Sequence, residues 1–103
     1  MLALGCRSGK LFIRMDWEEI PKCYDCLSDI LELKLAYDSS YLLVCTAESQ
    51  LFVFTNTNNS FVSQPPRKIH FENECPRSVE FCDDNRSFVV CMDSHNFYQF
   101  YLP

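Results

Sequence analysis

Cys23-Tyr24-Asp25-Cys26 is the stretch of this sequence whose residue types and spacing come nearest to a chemical site. Two thiolates at CxxC spacing hold half of a zinc site, or cycle between dithiol and disulfide in a βαβ setting. A zinc site needs a second ligand pair. Cys75 and Cys82 stand seven apart and His70 and His95 are isolated, so no such pair is apparent, and the pattern offers no βαβ unit. A small β-domain with a zinc or redox site at Cys23 and Cys26 is therefore the alternative reading, and thiols in a loop or at a strand end are the preferred one.

Other candidates lead away from catalysis. The carboxylates Asp16, Glu18, Glu19, Asp83 and Asp84 lie in polar, turn-like segments and read as solvated charges. The two histidines have no nucleophile beside them, and two glycines, Gly5 and Gly9, are too few for a phosphate loop or a dinucleotide fingerprint. No catalytic residue, cofactor or metal is expected, and the chain is read as no enzyme. Phe52, Phe54, Phe97, Tyr98, Phe100 and Tyr101 would suit a base-stacking platform only with basic residues interleaved among them, and there are none. Core packing is the expectation for these aromatics.

Composition narrows the partners. The 103 residues are 48% apolar and carry a net charge of -5, which suits a globular protein and opposes a phosphate-tracking surface. Neither a nucleic acid nor a membrane is expected as partner, because basic clusters and apolar runs of spanning length are both missing from the sequence. No signal peptide is read at the N-terminus, and seven cysteines, an odd number, are read as mostly reduced structural thiols of a cytoplasmic protein.

The elements that would position these residues repeat. At an offset of 46, Ile30 to Phe54 falls on Pro76 to Phe100, with Leu33 on Val79, Leu42 on Phe88, Cys45 on Cys91 and Phe54 on Phe100. At an offset of 40, Leu2 to Gly5 falls on Leu42 to Cys45, and Leu11 to Ile13 on Leu51 to Val53. Functional chemistry seldom recurs at a structural period, so Cys45 and Cys91 are expected in the core as small apolar groups.

Within each copy the pattern is that of strands. Leu31, Leu33 and Leu35 alternate with polar residues, and the turn Tyr37 to Ser40 leads into the apolar run Tyr41 to Cys45. After a polar gap, Leu51 to Thr55 follows, and the later copy repeats the series as Ser78 to Cys82, Ser87 to Cys91 and Phe97 to Leu102. Outer strands are expected at Ile20 to Tyr24 and at either Phe61 to Ser63 or Lys68 to Phe71, with Pro65-Pro66 in a loop or at an edge. Asp16 to Ile20 reads as one helical turn at most. A unit of 40 to 46 residues with four short antiparallel strands is a propeller blade. The fold expectation is an all-β partial β-propeller of about two and a half four-stranded blades, with blade parts at 1–25, 30–71 and 76–103.

On LALGCRSGKLFIR, residues 2–14, and ILELKLAYDSSYLLV, residues 30–44, the sequence resembles the WD-repeat family. The motifs are degenerate. Cys26-Leu27 and Glu74-Cys75 stand where a Gly-His pair is usual, and Ser8, Glu48 and Ser94 stand where the family often has a structural Asp. Arg14-Met15, Phe54-Thr55 and Phe100-Tyr101 replace the Trp-Asp ending. PRSVEF, residues 76–81, together with LALGCRSGKLFI, is similar to the echinoderm microtubule-associated protein-like branch. The resemblance implies a non-catalytic scaffold for protein-protein interaction in a cytoplasmic, cytoskeletal setting, with tubulin as partner. The expected contact surface is the loop Asn56 to Ser60 with Arg67-Lys68. A partial array leaves blade faces and strand edges open, so the remaining blades are expected from a longer chain or from a partner chain.

Overall fold

A computed structural model describes residues 2–5, 8–17, 19–84 and 86–102. Glu18, read above as a solvated charge, and Cys6, one of the seven cysteines, lie outside the described residues. The described residues are all-β, with ten strands in three antiparallel sheets and no helix.

The first sheet contains β1 (Leu2–Gly5), β2 (Lys10–Arg14) and β3 (Lys22–Asp25), in the order β1-β2-β3. The middle sheet has four strands, β4 (Ile30–Leu35), β5 (Tyr41–Thr46), β6 (Gln50–Thr55) and β7 (Arg67–His70), in chain order. β8 (Pro76–Phe81), β9 (Ser87–Met92) and β10 (Phe97–Tyr101) form the third, with β9 at its centre. Of the two competing outer segments, 67–70 is the strand, whereas Phe61 leaves the loop to plug the core, only 2% exposed. A two-residue turn with positive φ at Asn58 and Asn59 bridges Thr57 to Ser60 and aims Phe61 inward.

The continuous apolar run of β5 is explained by two cores. Leu42 and Val44 enter a cluster with Leu11, Ile13, Cys26, Phe52 and Phe54, between the first and middle sheets. Leu43 and Cys45 point the other way, into a cluster with Leu51, Val53, Phe88, Val90 and Met92. Successive side chains alternate across a strand, so only a sheet covered on both faces can bury both sets. β1 meets β4 as β5 meets β8, which stacks the three sheets in series.

The pairing itself recurs at the sequence offsets. A bulge between Ile30 and Glu32 reappears between Pro76 and Ser78, 46 residues on. The bonds Ala47 N–H to Asp29 O and Asn56 N–H to Ser40 O reappear as Asp93 to Cys75 and Leu102 to Arg86. Gly9, Ser49 and His95, at offsets of 40 and 46, all have positive φ at the tip of their hairpins. Gly9 is the strictest of the three, because a Cβ there would lie 2.7 Å from the Ser28 backbone N. The bulge also corrects the expected alternation in β4. Leu31 is the extra residue and lies 49% exposed, leaving Leu33 to face the core.

Candidate functional site

β3 separates the two cysteines of the CxxC. Three residues apart on an extended backbone, side chains project to opposite faces, and the ladder runs on past Asp25, with Cys26 N–H bonded to Gly9 O. Cys23 is exposed, whereas Cys26 lies in the first cluster with its thiol pushed up to about 11 by burial and by the Asp25 charge. A bidentate grip needs a turn that converges both thiols, and β3 provides the reverse. Cys26 occupies the place that Phe71 holds in the middle sheet, where Phe71 N–H bonds Ser49 O. Its neighbours make it a packing residue. Among the described residues, no group of three or more His, Cys, Asp and Glu is placed to hold a metal ion.

The expectation for Cys45 and Cys91 divides. Cys45 is fully buried, with its thiol raised to about 12 by desolvation first and the Glu32 charge second. Cys91 is exposed, which corrects the core assignment. The cause is the serial stacking: Cys45 faces the third sheet, and Cys91 sits on the equivalent face of that third sheet, which no described element covers. The same face carries Phe97 opposite Cys91, Gln99 opposite Val89 and Tyr101 opposite Ser87. Phe97 and Tyr101 are each 72% exposed, so the core expectation fails for them while it holds for Phe52 and Phe54. Their equivalents in the middle sheet are Leu51 and Thr55, beside the buried Leu43, Cys45 and Val53. The outer face of β8-β9-β10 is thus patterned like a face that elsewhere in the chain is a sheet-sheet interface.

A second feature lies at the hairpin end, around Glu74. One carboxylate oxygen accepts from Ser94 Oγ and from Asn96 Nδ2 at 2.7 Å, and the other accepts from Tyr98 Oη at 2.6 Å. These donors, led by Ser94, hold the Glu74 carboxyl below its ordinary range, and the carboxylate in turn raises the Tyr98 phenol. In the sequence, Glu74 and Ser94 stand out only as departures from a family pattern. In the structure they join the loop before β8 to the hairpin β9-β10.

At the equivalent positions of the middle sheet, Ser28 replaces Glu74, and Glu48, Gln50 and Phe52 replace the donors. Serine is too short to span the gap, and its Oγ is buried without a partner among the described residues. An open cleft of about 250 Å³ remains there, lined by Ser28, Glu48, Gln50 and Lys68 among others. Lys68 Nζ stands 5.6 Å over the Phe52 ring.

The expected contact surface is exposed only in part. Arg67 and Lys68 belong to strand β7, and Asn56 and Ser60 are half-buried and buried respectively, held by the bonds to Ser39 O and Thr57. His70 and His95 are exposed and separate. Cys75 points its Sγ at Thr46 O, 3.6 Å away, and Cys82 accepts weakly from Gln99 Nε2. Asp84 serves its own turn by accepting from Arg86 N–H.

Compared with models of known protein families and with curated proteins, the chain matches none.

Proposed function

We propose that this chain is a non-catalytic protein-protein interaction scaffold, built as part of a WD-repeat-like propeller. One observation carries the reading: on the outer face of β8-β9-β10, Cys91 and Phe97 stand where the middle sheet buries Cys45 and Leu51 against its neighbour, yet both are exposed to solvent. An exposed apolar sheet face of this kind marks an interaction site. Further blades, from a longer chain or a partner chain, are the occupants that complete the array. The sequence resemblance adds a cytoplasmic, cytoskeletal setting with tubulin as partner. Co-sedimentation with polymerised tubulin checks that part by itself.

The scaffold reading is tested by sedimentation velocity across a concentration series. Species heavier than the 12.1 kDa chain are expected, with return to monomer in Val89→Lys/Phe97→Glu. A monodisperse wild-type monomer at micromolar concentration, unfolding cooperatively, would refute it. The zinc or redox alternative gains nothing from β3, whose geometry sends the two thiols apart.

A further inference from the structure

The two complete edges inside the chain specify what the third one takes. β2 is covered on its outer edge by β3, and β6 by β7, in like register: Lys10 to Ile13 against Asp25 to Lys22, and Gln50 to Val53 against His70 to Arg67. Each covering strand opens on a basic residue, Lys22 or Arg67, then places a half-buried apolar side chain two residues on, Tyr24 or Ile69. Two residues further comes a buried apolar one, Cys26 or Phe71, whose N–H bonds the hairpin-tip carbonyl of Gly9 or Ser49. The shared pattern is basic-x-apolar-x-apolar.

β10 is the equivalent of β2 and β6, and among the described residues it pairs on one side only. Met92 N–H bonds Asn96 O and Leu102 N–H bonds Arg86 O, so the even-numbered residues of β10 turn their backbone groups to β9. The N–H and C=O of Phe97 and Gln99 therefore point to the open edge, as those of Leu51 and Val53 point to β7. Charge favours the same occupant. From Phe71 to the last residue there are six carboxylates (Glu72, Glu74, Glu80, Asp83, Asp84, Asp93) against two arginines.

We infer that the β10 edge binds an extended segment by antiparallel strand addition, with the pattern basic-x-apolar-x-apolar. The segment's central apolar residue lies beside Phe97, and its last N–H bonds His95 O. Main-chain bonds supply the affinity and the alternating side chains the selectivity. The inference rests on the scaffold reading and names the partner chemistry for one edge of it.

The probe is a fluorescein-labelled, amidated peptide PPRKIHF, the sequence of residues 65–71, titrated with the full chain and followed by anisotropy. Saturable binding is expected. In β7 the odd-numbered residues bond β6, as Phe71 N–H does, so N-methylation at the isoleucine removes a bond to the edge while N-methylation at the lysine removes none. The first should weaken binding roughly tenfold and the second should leave it nearly unchanged. Gln99→Pro, which deletes an edge donor not engaged with β9, should abolish binding and so places the peptide on β10 rather than on β6. No binding of the unmodified peptide overturns the inference, as do equal affinities for the two methylated peptides or full binding to Gln99→Pro. Concentration-dependent sedimentation in the presence of any of these failures leaves the scaffold reading standing, so the two are separable.

Discussion

Serine in place of Cys45 and serine in place of Cys91 should have opposite consequences, although the two cysteines occupy the same place in the repeat. Cys45 is fully buried between the middle and third sheets, among Leu43, Leu51, Val53 and Val90. A hydroxyl there is stripped of water among apolar neighbours, and leaving such a group unsatisfied costs about 1–3 kcal/mol. Domains are stable by only about 5–15 kcal/mol, so Cys45→Ser should lower the urea midpoint visibly. Cys91 is exposed, and Cys91→Ser should fall within about 0.5 kcal/mol of the wild type. Far-UV circular dichroism is the appropriate signal, because the single tryptophan, Trp17, is 63% exposed and senses the cores poorly. Thiol labelling gives an independent reading. Cys26 and Cys45, raised to about 11 and about 12 by burial, should react only as the chain unfolds, while exposed Cys23 and Cys91 react at once. Equal destabilisation by the two substitutions, or labelling of Cys45 as fast as Cys91, would refute the serial stacking from which the contrast is derived.

Three further outcomes follow from local geometry. Gly5→Ala sets a Cβ 2.5 Å from Ile30 Cγ2, so it should cost about 1–3 kcal/mol in urea unfolding, and pairing it with Ile30→Ala should cost less than the two single changes summed. Ser28→Ala removes a buried hydroxyl that has no partner among the described residues and should be neutral or stabilise by up to about 1 kcal/mol; a clear loss of stability would show that Ser28 has a polar role. Glu74 has its folded-state pKa lowered, so its contribution is present above the unfolded carboxyl value of about 4.3 and is lost as pH falls through the folded value. Glu74→Gln should accordingly be less stable than the wild type at neutral pH and converge with it in acid, as read from unfolding curves across that range.

The strands were legible because their patterns are local. Tyr41 to Cys45 is apolar throughout and Leu51 to Phe54 is aromatic and β-branched, and β5 and β6 stand where those runs are. Two kinds of feature escaped. The bulge at Ile30 and Glu32 sends Leu31 outward, and no alternation of leucines announces an inserted residue. The positive-φ pair Asn58 and Asn59, which turns the loop so that Phe61 plugs the first core, was written in the sequence as two asparagines, residues that tolerate that conformation, but the loop read instead as a projecting contact. The CxxC was read as thiols in a loop or at a strand end, and β3 puts them there. Spacing names a chelate only when the backbone turns, and β3 keeps it extended.

Burial was the least legible property, because it belongs to neighbours as much as to residues. Leu51 and Phe97 are equivalent apolar side chains on equivalent strands, yet the first is fully buried and the second 72% exposed. Nothing in either strand accounts for the difference. What differs is the layer beyond: β8 and β9 lie against the middle sheet, and no described element lies against the outer face of the third. An apolar residue at an equivalent but solvent-facing position, alongside Val89 and Cys91, is what the proposed docking of a further sheet requires. Polar replacement has occurred on the same face, where Gln99 stands in place of Val53, so the repeat does not forbid it. The apolar residues that remain therefore define the part of the face on which an incoming sheet would bear, and the edge donors of Phe97 and Gln99 lie along its border.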